Sequence, residues 1–300
     1  MDVTYRPAQL KDLEPATRIV QQAYNNLRSS HGLPATVGLR APAFQQFCLA
    51  EDPDGLWIAE EGSSLVGFGF AWMRQKFWYL AQLFVAPDAQ SRGIGQDLIS
   101  KTLHWAERRN AENRALITMA YNMASTGLYI RNGLYPREPL FRMAAPARVL
   151  EESIGTTDLD VSPIEPWAKS QDWLGQIDEE VLGFRRDSHH ALLIEGFAAR
   201  AVRIESAGRL AGYAYISAEG HIGPLAIALG ADPKAVVRAA IRCALEGQPK
   251  QVSMIVPGQA DRVLDVVVDL GFRIEEPFVL LSARPFGDWR NYLPSNPGFM

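Results

Sequence analysis

The spacing of apolar residues changes period several times along the first half of the chain. Val3 to Arg6 alternates as a short strand does, and Leu13 to Leu27 then places Ile19, Val20, Ala23, Tyr24 and Leu27 at helical intervals. A second helical stretch follows around Ala41 to Ala50. From Gly55 onward three apolar runs rich in aromatic and β-branched residues, GLWIAEE, LVGFGFAWM and FWYLAQLFVA, are separated by short turns, which predicts an antiparallel meander. Trp57, Trp72, Trp78 and Tyr79 lie in those strands and are expected to pack in the core, with lining an acceptor pocket as the alternative for one or two of them. Pro87 closes the third run; a turn, a helix to about Arg109, a strand from Ala115 to Tyr121 and a short helix follow.

The second half repeats this order in weaker form. Leu65-Val66-Gly67-Phe68 is echoed by Leu210-Ala211-Gly212-Tyr213, an offset of 145 residues between the glycines. Leu83-Phe84-Val85 is echoed by Leu225-Ala226-Ile227 at 142, and Asn132-Gly133-Leu134 by Leu270-Gly271-Phe272 at 138. A small, one-way drift of this kind is what duplication followed by short deletions leaves, so the two halves should share a fold. The polar, turn-rich stretch between Ala145 and Asp158 interrupts both periods and sets the expected domains at 1–147 and 148–300. At 300 residues with 47% hydrophobic residues, the chain is long enough for two cores.

Charge and composition narrow the function classes. A formal net charge of −4 without a Lys/Arg cluster gives no footprint for a polyanion, which argues against nucleic acid as a partner. The N-terminal stretch carries Asp2, Arg6, Lys11 and Asp12 instead of an apolar signal core, and no apolar run reaches membrane-spanning length. A cytoplasmic protein, monomeric or homodimeric and without membrane contact, is the expectation. Cys48 and Cys243 are too far apart in sequence to suggest a disulfide framework or metal spacing, and both read as buried hydrophobes. No metal site is expected. His189-His190 beside Asp187 lacks a nucleophile elbow or an H-E-x-x-H context and reads as a pair of solvated loop residues.

The chemistry concentrates between Tyr79 and Tyr135. Gln90-Ser91-Arg92-Gly93-Ile94-Gly95 follows a strand and opens a helix. The first N–H groups of a helix have no intrahelical partner and sit at the positive end of its dipole, so a pyrophosphate can dock there. Glycines let the backbone come close, and Arg92 can add a charge-assisted contact. A dinucleotide fold would need a third glycine where Leu98 stands, and a P-loop would need G-K-[ST] where Gln96-Asp97-Leu98 stands. What fits is Q/R-x-x-G-x-G/A directly after a strand ending in V-x-P, here Val85-Ala86-Pro87.

In this order and spacing the segment resembles the acyl-coenzyme A binding core of the GNAT superfamily of N-acyltransferases. The resemblance covers about residues 64–143 well and 4–52 loosely. It implies an α/β fold of two GNAT-like domains, each a mixed, mostly antiparallel sheet flanked by helices, with acetyl-CoA as acyl donor. By the same resemblance the backbone of Phe84 and Val85 would pair with the pantetheine arm. Gln90, Arg92, Gly93, Ile94, Gly95 and Gln96 would hold the pyrophosphate, and Asn122 would contact the cofactor. Tyr129, in Leu128-Tyr129-Ile130-Arg131-Asn132-Gly133, would protonate the departing thiolate.

The second half departs from that pattern at each functional position. Ala228-Leu229-Gly230-Ala231-Asp232-Pro233 replaces the glycine turn, and Val267 stands where the 138 offset places Tyr129. It reads as a degenerate GNAT-like domain. The implied reaction is acetyl transfer to a primary amine of a small molecule or peptide, by direct attack in a ternary complex. A protein lysine acetyltransferase and a non-catalytic acyl-CoA binding or regulatory protein are the alternatives. The general base is open, since Ala81 stands where some relatives carry an acid; Glu60, Glu61, a water held by Gln82 and a group delivered from elsewhere, such as the carboxylate after Met300, are candidates. Phe299 and Met300 predict that the last residues dock, either on their own half or at the first half's active site.

Overall fold

The computed structural model describes residues 2–35, 38–39 and 41–300, which divide into two compact units. The first comprises Met1–Tyr135 with Leu281–Arg284, and the second Pro136–Leu280 with Pro285–Met300.

In the first unit β1 (Val3–Pro7) is followed by the helices α1 (Leu13–Ser30) and α2 (Ala43–Glu51). The predicted meander is β2 (Leu56–Glu61), β3 (Ser64–Arg74) and β4 (Phe77–Val85), with all neighbours antiparallel. A crossover through α3 (Ile94–Arg108) then brings β5 (Asn113–Met119) parallel to β4, and α4 (Met123–Arg131) follows. Trp72, Trp78 and Tyr79 are fully buried, with Trp72 stacked on Tyr79 at 4.7 Å between ring centres. Helix α3 buries Ile94, Leu98, Ile99, Thr102, Leu103 and Ala106, a helical stripe facing β3. Gly67 and Gly69 permit that approach: a Cβ on Gly67 would lie 3.3 Å from Ile94 Cγ2, and one on Gly69 3.4 Å from Leu98 Cβ.

The second unit runs through β6 (Tyr135–Pro146), α5 (Ala147–Ser153), β7 (Asp160–Pro163), α6 (Trp167–Leu182) and α7 (Asp187–Leu192). It continues with β8 (Arg200–Ser206), β9 (Arg209–Ile216), β10 (His221–Ile227), α8 (Pro233–Leu245), β11 (Gln251–Pro257), α9 (Asp261–Asp269), β12 (Arg273–Ser282) and β13 (Tyr292–Leu293). Its sheet is ordered β12-β6-β11-β10-β9-β8-β7, with β13 on β10, and only β10 and β11 among the registered pairs are parallel. One core joins β9, β10 and β11 to α8 and α9 through Ile222, Leu225, Val236, Ile241, Met254 and Val267.

The repeat read from sequence is a repeat of structure. Gly67 lies opposite Val85, and Gly212 opposite Ile227. Helix α4 ends with Leu134 N–H donating to Tyr129 C=O at 3.0 Å, and α9 ends with Phe272 N–H donating to Val267 C=O at 2.9 Å, each past a glycine of positive φ. Val267 therefore occupies the place of Tyr129. The units divide after Tyr135, earlier than the join at 147/148 read from composition. The reason is register: β6 pairs with β11 from Leu140↔Pro257 to Pro146↔Gln251, so it belongs to the second unit. Conversely, Leu281–Arg284 joins the first unit, with Ala283 N–H donating to Arg114 C=O at 2.9 Å.

Candidate active site

Strand β4 pairs with β5 at Phe77↔Asn113, Trp78↔Arg114 and Tyr79↔Ala115, and no further register is formed toward their C-terminal ends. A bulge lies just beyond the last pair. On the β3 side Phe70 faces Gln82 and Ala71 faces Leu80, so Ala81 is the extra residue that bends β4 away. Leu83, Phe84 and Val85 thereby have no partner on β5. Phe84 stacks on Phe68 at 5.8 Å, which fixes the strand from the opposite sheet position.

The turn after β4 aims at the same cleft. Gln90 Nε2 donates to Val85 C=O at 3.1 Å and ties the turn to the strand end. Ser91 and Gly93 both have positive φ, +62° and +84°, and Gly93 is the N-cap of α3. A Cβ on Gly93 would meet nothing within 4 Å, so glycine is required there by φ alone and the space in front of it is open. No side chain caps α3, and its first internal bond is Asp97 N–H to Gly93 C=O, which leaves the N–H groups of Ile94, Gly95 and Gln96 without helical partners. Ile94 turns its side chain into the core, so only its backbone faces the turn. Gly95 lies beneath Leu128 of α4, where a Cβ would sit 3.5 Å from Leu128 Cδ2. These are the features a pyrophosphate needs, and the residues present fit it.

Charges around the turn are already engaged. Arg92 makes a two-pronged pair with Glu61, Nη1 and Nη2 donating to the carboxylate at 3.0 and 2.8 Å. That contact raises the arginine and lowers the glutamate from their ordinary values. Glu60 is held by Arg6, which also grips Asp12. Gln96 exchanges side-chain hydrogen bonds with Asn132, fixing α3 to the end of α4.

Asn122 caps α4 through its Oδ1, which accepts from Ser125 N–H at 3.2 Å, and so orients the helix that carries Tyr129. Tyr129 is 5% exposed. Burial raises its phenol well above the ordinary tyrosine value, and a hydrogen bond with Ser125 works the other way. The hydroxyl therefore stays protonated throughout the neutral range. Cys48 is buried in α2, where burial likewise raises its thiol.

All ten residues singled out from the sequence, from Phe84 to Tyr129, lie in the first unit around the β4–β5 opening, the α3 start and α4. Two features escaped sequence reasoning. One is the Arg92–Glu61 pair, formed between residues 31 apart, at the end of β2 and in the turn before α3. The other concerns His189 and His190, which are not solvated loop residues: both are buried on α7. His190 bridges Asp178 at 3.0 Å and the Tyr215 hydroxyl at 2.8 Å, and Asp178 also accepts from Arg186 and Tyr213. The available signal was Asp178 on the otherwise mostly apolar buried face of α6 together with the tyrosines at 213 and 215. Among the described residues no group of three His, Cys, Asp or Glu could hold a metal, and no helix is long and apolar enough to cross a membrane.

The first unit is thus a mixed sheet whose parallel pair opens beside an uncapped helix start. The family model for the Acetyltransferase (GNAT) family matches residues 20–134. An uncharacterized N-acetyltransferase of Archaeoglobus fulgidus is 30% identical over 112 residues, 35% of this chain and 74% of that protein. The chain belongs to the GNAT family of acetyltransferases. Among solved structures, a candidate acetyltransferase of Pyrococcus horikoshii aligns with a TM-score of 0.75 at 18% identity, over 99% of this chain and 96% of that one. A GCN5-related N-acetyltransferase of Sphaerobacter thermophilus aligns at 0.68 and 13%, over 95% and 97%. A tandem GNAT protein from the clavulanic acid biosynthesis pathway aligns at 0.62 and 15%, over 95% and 99%. Those likenesses run the length of the chain and show that both units share the fold.

Proposed function

We propose that the first unit transfers an acetyl group from acetyl-CoA to a primary amine of a small molecule or peptide, by direct attack in a ternary complex. The observation that carries this reading is the β4–β5 opening, where Leu83–Val85 have no partner on β5, with the N–H groups of Ile94–Gln96 left without helical partners at one end and a buried phenol on α4. Acetyl-CoA supplies the thioester, its pantetheine amides pairing with the backbone of Phe84 and Val85 as an added strand would. The Gln90–Gln96 turn would hold the pyrophosphate, with Arg92 exchanging or sharing its Glu61 contact, and Asn122 would position α4.

The amine nitrogen attacks the thioester carbonyl, the carbon–sulfur bond breaks, and the thiolate takes the Tyr129 proton. The proton lost by the amine must go elsewhere. Glu60 and Glu61 are both paired with arginine, which favours a water held near Gln82, whose Oε1 accepts from Gln45 Nε2 at 3.2 Å. Direct attack is supported by the burial of Cys48 and the raised pKa of its thiol, which makes it a poor acyl carrier.

The same engagement of both glutamates favours a second reading, an acyl-CoA binding protein without turnover. One experiment separates them. The chain is incubated with acetyl-CoA and a panel of polyamines, amino acids, amino sugars and peptides while free thiol and N-acetyl product are measured. One thiol per acetylated amine is expected for some member of the panel. Tight acetyl-CoA binding with no thiol release across the whole panel would leave the binding protein standing.

A further inference from the structure

The cleft that the first unit leaves open is filled in the second by the chain itself. Strand β10 pairs with β11 only at His221↔Ser253 and Ile222↔Met254, just as β4 pairs with β5 only at their N-terminal ends. Past that point β10 finds another neighbour. Leu225 pairs with Leu293 and Ala226 with Tyr292 of β13, and Ile227 N–H donates to Asn291 C=O at 2.8 Å. Leu225, Ala226 and Ile227 are the counterparts of Leu83, Phe84 and Val85 by the sequence repeat, and Gly212 opposite Ile227 repeats Gly67 opposite Val85.

The inserted segment is tightly held. Tyr292 and Leu293 are fully buried, His221 Nε2 lies 2.6 Å from Ser295 C=O, and a Cβ on Gly223 would come within 2.8 Å of Ser295 Cα. Arg186 lies over the Tyr292 ring at 5.1 Å and donates to Met300 C=O, which also accepts from the Tyr292 hydroxyl at 2.8 Å. The helix start is closed as well. Asp232 is the N-cap of α8, its Oδ1 accepting from Lys234 N–H at 3.1 Å and pairing with Arg262 at 2.9 Å. A carboxylate of the chain thus stands at the helix end whose counterpart, on α3, is bare.

We propose that Asn291–Ser295 is a resident strand ligand of the second unit, and that the cleft it fills still accepts an extended chain bearing secondary amides when vacated. The inference rests on the reading that the first unit's β4–β5 cleft takes the pantetheine arm. A peptide strand and a pantetheine arm offer the same chemistry to an exposed strand edge, amide N–H and C=O groups at strand-like spacing. The second unit is then a self-liganded copy of the first, stabilised by what it binds.

The test compares the intact chain with a form ending at Arg290, both saturated with acetyl-CoA, using two probes: a synthetic peptide of residues 291–300 and S-acetylpantetheine. The intact chain should bind neither. The shortened chain should bind one peptide, recover protection of the Ile227 amide, and release the peptide to millimolar S-acetylpantetheine. Since the shortened chain can unfold, Leu293→Asp in the full chain is the second variant. It should speed exchange of the Ile227 amide by about 10-fold or more without changing acetyl-CoA affinity. An Ile227 amide as protected in either variant as in the intact chain overturns the proposal. So does a shortened chain that binds acetyl-CoA but not the peptide, or a bound peptide that S-acetylpantetheine leaves in place. Peptide binding without acetyl-CoA uptake by either form would instead overturn the donor reading of the first unit and uphold the resident strand.

Discussion

Tyr129→Phe removes one oxygen from the first unit and little else. The ring stays, 5% exposed on α4, and the helix cap at Asn122 is untouched. Folding loses at most the hydroxyl's bond with Ser125, about 1 kcal/mol for a neutral pair. The acyl donor's expected contacts run along Phe84–Val85 and the α3 start, so its Kd should stay within about 2-fold. Turnover is different, because a positioned general acid is worth about 10²- to 10⁴-fold, or roughly 3–5 kcal/mol of barrier. The assay is thiol release at saturating amine, with donor affinity measured separately by calorimetry. The pH profile adds a second check: burial raises the phenol pKa, so the wild-type rate should show no alkaline loss assignable to Tyr129 below about pH 10, its ordinary value. A Phe variant with unchanged kcat would refute the assignment, as would one whose defect lies wholly in donor binding.

Gly93→Ala places a side chain at φ +84° in open space, so it should cost about 1 kcal/mol of stability and little affinity, whereas Gly93→Asp adds a charge at the helix start and should weaken acetyl-CoA binding by about 10-fold or more; calorimetry on both variants checks the contrast. In the second unit Asp178 is fully buried. Burial favours its protonated form, but the Arg186 guanidinium and His190 outweigh this and hold the carboxyl well below its ordinary value. Its depressed pKa means that its contribution is present above the unfolded value, about pH 4, and is lost as the pH falls below it, which thermal melts between pH 6 and pH 2 would register. Asp178→Asn leaves Arg186 buried without its anion and should destabilise that unit by about 3–5 kcal/mol in chemical unfolding. A chain cut at 147 loses Leu281–Arg284 and with it the Ala283–Arg114 and Arg284–Asn113 bonds beside β5, so it should aggregate or melt lower than the whole chain in light scattering and calorimetry.

The elements that define the family were legible because local sequence dictates them. The change from helical to alternating spacing marks the meander, Gly93 must be glycine at a left-handed φ, and Gly133 and Gly271 end their helices by the same requirement. The repeat was legible for the same reason: glycines and strand ends recur where the backbone needs them. What stayed hidden depends on partners distant in sequence. Nothing local says that β4 and β5 stop pairing after Tyr79, since each reads as an unbroken strand and the divergence arises from a bulge at Ala81. His189 and His190 look solvated because their neighbours are polar, yet Asp178 on α6 and the tyrosines of β9 bury and satisfy His190. Strand β13 is two residues long and carries no period of its own; β10 makes it a strand by offering an edge of unpaired amides. The sequence by itself determined the fold class, the glycine turn that opens α3 and the place of Tyr129 in the chain order, which are matters of backbone conformation and order along the chain. The tertiary structure alone decided which of two similar clefts stays open, because that depends on whether a strand edge meets a remote segment of the same chain.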